Sequence, residues 1–286
     1  MRTTRGFTLI EILVALVLLG IVGTSLYQLL VANQRLYRSQ VQRVAVNESA
    51  RGAISVLPTE IRELDARDGD VIAMTASSLT YKSMQTMYFQ CMPPNTGSLE
   101  IVLDRAVSYG LTAISAADDS ILIFAEGDTT TRSDDGWLNA SVGSTTVGTA
   151  CPGTQPSITV GLAGVTAGQL GGVLAGAPVR TFRAAQILVY SDAAGDWWLG
   201  GRMYQKAAGT WGATQPIVGP LSSTGLALTF ADSAGNTTAT LADVARIGIT
   251  VQSQSAERVY QGGGAGTTYL LQDLVTQVAL RNNPTY

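Results

Sequence analysis

The sequence predicts an α+β chain: a long N-terminal helix, membrane-spanning in its first part and amphipathic in its second, packed on an antiparallel β-rich head. Three observations carry this. A stretch from Ile12 to Gln34 holds no Asp, Glu, Lys or Arg. Apolar residues then recur at helical spacing to about residue 64. Beyond that, short runs alternate apolar and polar residues between turn signals.

The first element is the charge-free run. Twenty-three helical residues at about 1.5 Å each extend about 34 Å, enough to cross a hydrocarbon core of about 30 Å. Arg2 and Arg5 precede it and favour a cytoplasmic N-terminus by the positive-inside rule, with the rest exported. A secretory signal peptide would end its apolar run sooner and at a small-x-small cleavage site. Here the run continues into Tyr27-Gln28-Leu29-Leu30. An ordinary signal anchor is the simpler alternative, and one residue argues against it.

That residue is Glu11. A carboxylate entering a membrane helix costs a few kcal/mol at the bilayer centre and less near the interface, so such groups usually have partners. Cleavage between Gly6 and Phe7 would create an α-ammonium at Phe7, one helical turn from Glu11. Within one helix, or between neighbouring helices, the two could pair and set an assembly register. A glutamate reaching the headgroups without a partner is the plainer reading of Glu11 alone.

Taken together, Arg5-Gly6-Phe7-Thr8-Leu9-Ile10-Glu11 and the apolar helix behind them closely resemble the type III signal sequence of type IV prepilins and type II secretion pseudopilins. The resemblance covers roughly the first 30 residues. It implies cleavage after Gly6 by prepilin peptidase, N-methylation of Phe7, Glu11 as the assembly glutamate, and a pilin-like fold. Losing Arg2 and Arg5 with the leader would move the formal net charge from −3 to −5. Gly20 and Gly23 within the anchor read as sites of close helix packing or, alternatively, as points where the helix loosens. Major pilins of this family often carry a helix-kinking proline further along, and none occurs here before Pro58.

The second element continues the helix. Leu36, Val41, Val44, Val46, Ala50, Ile54, Leu57, Ile61 and Leu64 form an apolar stripe among arginines and glutamates. Pro58 is expected to kink or interrupt it, and Asp68-Gly69-Asp70 reads as a turn. The organisation is therefore a leader at 1–6, an assembly helix at 7–30, its amphipathic continuation at 31–65, and a head at 66–286. Strands are expected at 71–74, 79–82, 86–91, 100–104, 121–125, 157–162, 180–190, 197–204, 226–231, 246–252 and 269–280. A Gly/Thr/Ser-rich insertion at about 126–178 is expected to be long loops. The order of the distal strands, closing on Val278-Ala279-Leu280-Arg281-Asn282, resembles PilW-type minor pilins and the J-type pseudopilins of type II secretion. That likeness and the large head imply a tip subunit.

Composition closes other routes. There is no histidine, which excludes His-based triads and His metal sites. The slightly acidic charge leaves no electrostatic footprint for nucleic acid. No Gly-x-Ser-x-Gly or Ser-x-x-Lys pattern occurs, so the chain reads as a non-enzyme. Cys91 and Cys151 make a poor zinc site on their own. In an exported head they read as a disulfide, with two buried thiols as the alternative. Asp68/Asp70, Asp118/Asp119 and Asp134/Asp135 offer oxygens to Ca²⁺ but lack EF-hand spacing and read first as solvated turns; no cofactor is called for. Trp197-Trp198 and Trp211 suggest a binding platform or, more simply, strand residues divided between core and surface.

The resulting expectation is a minor pilin or pseudopilin, held first in the bacterial inner membrane and then in a pilus or pseudopilus. Its partners would be prepilin peptidase and the other pilins of one filament. A membrane-tethered binding domain that never polymerises is the alternative of another class.

Overall fold

The computed structural model describes residues 8–110, 112–127, 130–131, 135–260 and 266–280. One helix, α1 (Leu9–Arg62), is followed by strands β1 (Val71–Thr75), β2 (Ser78–Gln90), β3 (Glu100–Gly110), β4 (Ser120–Ala125), β5 (Gly136–Cys151) and β6 (Gln155–Ala163). A single helical turn, α2 (Ala167–Leu170), precedes β7 (Pro178–Ser191), β8 (Trp197–Gln205), β9 (Thr210–Trp211) and β10 (Gln215–Ala231). The chain closes with β11 (Arg246–Gln254), β12 (Val259–Tyr260), β13 (Thr267–Thr268) and β14 (Leu271–Ala279). A long apolar helix on an antiparallel β-rich head is the expected α+β, pilin-like class.

The first buried position of α1 is Val46. From there Ala50, Ala53, Leu57 and Ile61 are all buried, a three-and-four spacing that keeps one stripe on the sheet. The expected stripe began earlier, but Leu36, Val41 and Val44 are exposed. The helix therefore leaves the head below Val46, and about 55 Å of it, at 1.5 Å per residue from Leu9, touches little of its own chain. Pro58 does not interrupt the helix as expected: α1 runs through it to Arg62, where few helical hydrogen bonds are left to lose.

The sheet under α1 runs β1-β2-β7-β8-β10-β11-β14, and the helix lies against β10, β11 and β14. Two hydroxyls fasten it there: Ser253 donates to the Val46 carbonyl at 2.8 Å and Ser49 to the Gly219 carbonyl at 2.9 Å. Leu57, Ile61, Leu79, Ile187, Leu199, Ile247 and Ile249 fill the core between them.

β2 and β7 run beyond this sheet and take part in a second structure. β2 pairs β3, β3 pairs β6, β6 pairs β5, β5 pairs β4, β4 pairs β7, and β7 pairs β2. The pairings are all antiparallel and return to their start, so these strands form a closed six-stranded barrel. Its interior is a separate core of Tyr88, Ile101, Leu103, Ile121, Ile123, Val160 and Val179, with Leu170 of the α2 turn and Val173 just after it. The junction is a register irregularity in β2 between Met84 and Thr86. There Thr86 N–H donates to Thr181 Oγ1 and the Thr181 hydroxyl returns a bond to the Thr86 carbonyl, at 3.1 and 3.2 Å. Gly110 has φ +154°, and a Cβ at that position would collide with Thr86.

This corrects the expected long loops at 126–178. Residues 136–151 and 155–163 form a hairpin that supplies a third of the barrel wall. The expected strands 79–82 and 86–91 are one strand interrupted by the bulge, and 226–231 is the second half of β10. Cys91, just past β2, is bonded to Cys151 at the end of β5, 60 positions further along the chain. Closing a loop of that length stabilises by about 4 kcal/mol in the chain-entropy model.

Candidate assembly site

The description of the chain starts at Thr8, the N-cap of α1. Thr8 and Glu11 form a capping box. The Thr8 N–H and its hydroxyl both donate to Glu11 Oε2 at 2.9 Å, and Glu11 N–H donates to Thr8 Oγ1 at 3.4 Å. The reciprocal bonds satisfy helix donors that would otherwise be orphaned in hydrocarbon. They also fix where the carboxylate sits: at the N-terminal mouth of the helix, where the macrodipole favours negative charge. Gly6 and Phe7 lie outside the described residues.

Around Glu11 the helix is apolar on all sides. Leu9, Ile10, Leu13, Val14, Val17, Leu18 and Leu19 are all more than half exposed. Ile10, Glu11, Val14, Ala15 and Leu18 share one shallow face, with the small Ala15 one turn beyond the carboxylate. The hydroxyls in this segment are internally satisfied: Thr24 donates to the Gly20 carbonyl at 2.7 Å and Ser25 to that of Ile21 at 2.9 Å. Such back-bonding lets a hydroxyl sit in an apolar medium. A Cβ on Gly20 or Gly23 would meet nothing within 4 Å, so no contact among the described residues requires either glycine.

The matching family model is the prokaryotic N-terminal methylation motif, over residues 1–27. The N-terminal segment is that of a type IV pilin-like protein. No curated protein and no solved structure matches it. The pilin-like helix is long and apolar enough to cross a membrane, and its most apolar window, at mean hydropathy 2.5, has none of its residues buried.

Several of the remaining sequence candidates of this pilin-like chain are engaged within the head. Asp70 is buried, accepts from Asp65 N–H at 2.9 Å and lies 3.9 Å from the equally buried Lys82 ammonium. Burial pushes the Asp70 carboxyl above its ordinary range and the Lys82 ammonium below its own, outweighing their mutual attraction. Asp68 lends its carbonyl to Lys82. Asp119 is buried, caps Ser115 N–H at 2.7 Å and pairs with Arg183. Lys206 donates to the Asp119 and Val142 carbonyls at 2.9 Å each, so this network joins barrel strands to the β8–β9 turn. Asp134 lies outside the described residues. The tryptophans do not divide between core and surface, Trp197, Trp198 and Trp211 all being half-buried: Trp198 Nε1 donates to Asp192 at 2.9 Å, while Trp211 packs edge-on to Tyr204 beneath the Arg202 guanidinium.

Thr8 is the residue that sequence reasoning passed over. The Thr-x-x-Glu spacing ahead of an apolar run is a capping-box signature and would have identified it.

Proposed function

We propose that the chain is a minor pilin or pseudopilin that is cut after Gly6, methylated at Phe7 and drawn from the inner membrane into a filament by its bare helix. Glu11 pairs with the Phe7 ammonium of a neighbour, and its capping bonds to Thr8 hold the carboxylate at the level where that amine arrives. The observation that carries this reading is the lone carboxylate, seated at the start of an apolar helix that the other described residues leave uncovered. In a low-dielectric bundle such a charge is tolerated only with a counter-charge, which makes subunit register the condition for burying it.

A tip or priming position is supported by the barrel. It adds bulk to one end of the head, and a wide head packs poorly along a thin filament. The type IV pilus and the type II secretion pseudopilus are the two machines this role fits, the PilW- and J-type subunits being their counterparts. Nothing in the chain's chemistry calls for catalysis. A membrane-tethered binding domain that never polymerises is the competing reading. It predicts an intact N-terminus and indifference to Glu11.

Intact mass of the membrane-extracted protein decides between them. Loss of residues 1–6 with gain of one methyl supports the pilin reading, and a complete N-terminus overturns it. Glu11→Ala is expected to be processed normally yet to enter filaments poorly; wild-type incorporation would remove Glu11 from the mechanism.

A further inference from the structure

Between β11 and β14 the chain leaves the sheet, forms the small β12–β13 hairpin and returns. Its departure level is marked by Ser253, bonded to Val46 of the helix. Its first strand is described as far as Tyr260, whose ring lies 5.2 Å beneath the Arg35 guanidinium. Arg35 is eleven residues before Val46, so the hairpin descends about 16 Å along α1, away from the sheet and toward the apolar run. Its described part reaches the level where that run ends, because Arg35 is the first charged residue after Gln34.

Three cations gather at this level. Arg35 and Arg38 from the helix and Arg258 from the hairpin line one cleft of 210 Å³, with Glu257 as the acidic member. Arg258 stacks on Tyr269 at 5.3 Å. All three arginines are exposed, and among the described residues none makes an ion pair. Tyr260 and Tyr269 stand beside them, 43% and 38% exposed. Positive charge at the exported end of a span works against the positive-inside preference, so retaining three arginines there implies a compensating partner. Amphipathic tyrosines next to unpaired arginines, at the depth where the hydrocarbon ends, suit the headgroup layer.

We infer that the β12–β13 hairpin and the Arg35/Arg38 turn of α1 form a foot that binds anionic phospholipid headgroups on the outer leaflet while the subunit waits in the membrane. This rests on the reading of α1 as a transmembrane anchor. The foot holds the head upright on the bilayer and keeps the helix at one depth before extraction. Each arginine near an anionic surface contributes roughly a fivefold bias toward the bound arrangement, and salt weakens it.

The test uses the full chain, its Cys91–Cys151 bond intact, labelled with a fluorophore at Thr267→Cys. It is reconstituted in phosphatidylcholine vesicles or in mixed phosphatidylcholine–phosphatidylglycerol vesicles, each doped with a headgroup-quenching lipid. Stronger quenching in the phosphatidylglycerol vesicles, reversed by salt and abolished in R35Q/R38Q/R258Q but kept in R35K/R38K/R258K, is the expected result. Equal quenching in both lipids, with the protein still resistant to alkaline carbonate, overturns the foot and leaves the anchor standing. Release by carbonate overturns the anchor and the foot together. Should the glutamine variant keep its quenching but fail to enter filaments, the arginines serve an acidic neighbouring subunit instead, and the lipid assignment falls.

Discussion

At Thr8 and Glu11, two side chains and two backbone donors satisfy one another before any neighbour arrives. Thr8→Val should therefore leave the apolar span untouched while costing about 1 kcal/mol at the helix start, visible as faster amide exchange at Leu9–Ile12 in detergent micelles. The Asp70–Lys82 pair makes a different residue-scale prediction. Lys82→Met strands a buried carboxylate, and removing one partner of such a pair costs about 3–5 kcal/mol. Asp70→Asn combined with Lys82→Met should recover most of that loss in thermal denaturation. The pH dependence has a definite sign. A carboxyl whose folded pKa lies above its unfolded one stabilises the protein most below the unfolded value, and that contribution is lost as pH rises through the folded one. The stability of wild type relative to Asp70→Asn should thus fall as pH climbs from the acid side of the carboxylate range to neutrality. A difference that rises instead would show that Lys82 outweighs desolvation.

At the scale of elements, α1 was the most legible part of the chain, because a charge-free run and a three-and-four stripe each have one reading. Its exit from the head was not legible: Leu36, Val41 and Val44 continue the stripe in sequence and yet find no sheet beneath them. Strand limits failed where the ladder is irregular. The bulge at Met84/Thr86 reverses the alternation halfway along β2, so one strand reads as two. In β10, Pro216 and Pro220 fall among register shifts as the strand passes from β8 to β11, where proline is tolerated. β5 was lost for want of apolar residues: its outer half, Gly143–Ala150, is exposed on both faces and held by its pairing with β6. Gly20 and Gly23 allow a test at this scale. Alanine at both sites should raise helix propensity by about 1 kcal/mol each without disturbing the isolated subunit. A filament defect from these variants, with unchanged thermal stability, would locate the glycines in helix–helix contacts between subunits.

On the scale of the whole molecule, the chain is two cores sharing two strands. Ring closure could not be read from sequence, because the β2–β7 ladder joins residues about a hundred positions apart and no local pattern encodes such a pairing. The arrangement predicts separability. Excising residues 91–176 and joining Gln90 to Ala177 through Asn-Gly should turn β2 and β7 into an ordinary hairpin. The helix-bound sheet should remain folded, as judged by retained protease resistance. Conversely, Cys91→Ser/Cys151→Ser should weaken the barrel by about 4 kcal/mol, and reducing conditions should expose barrel sites to proteolysis before sites in the helix-bound sheet.

The shared strands also set how the molecule would respond to tension. A ligand gripping the barrel and a filament holding α1 would pull from opposite ends of β2 and β7, along the strand direction. Rupture would then demand that whole ladders slide past their neighbours, many hydrogen bonds failing together, instead of peeling open one at a time. A head loaded in that geometry is a mechanical coupling, strongest along the axis in which a retracting fibre would haul on it.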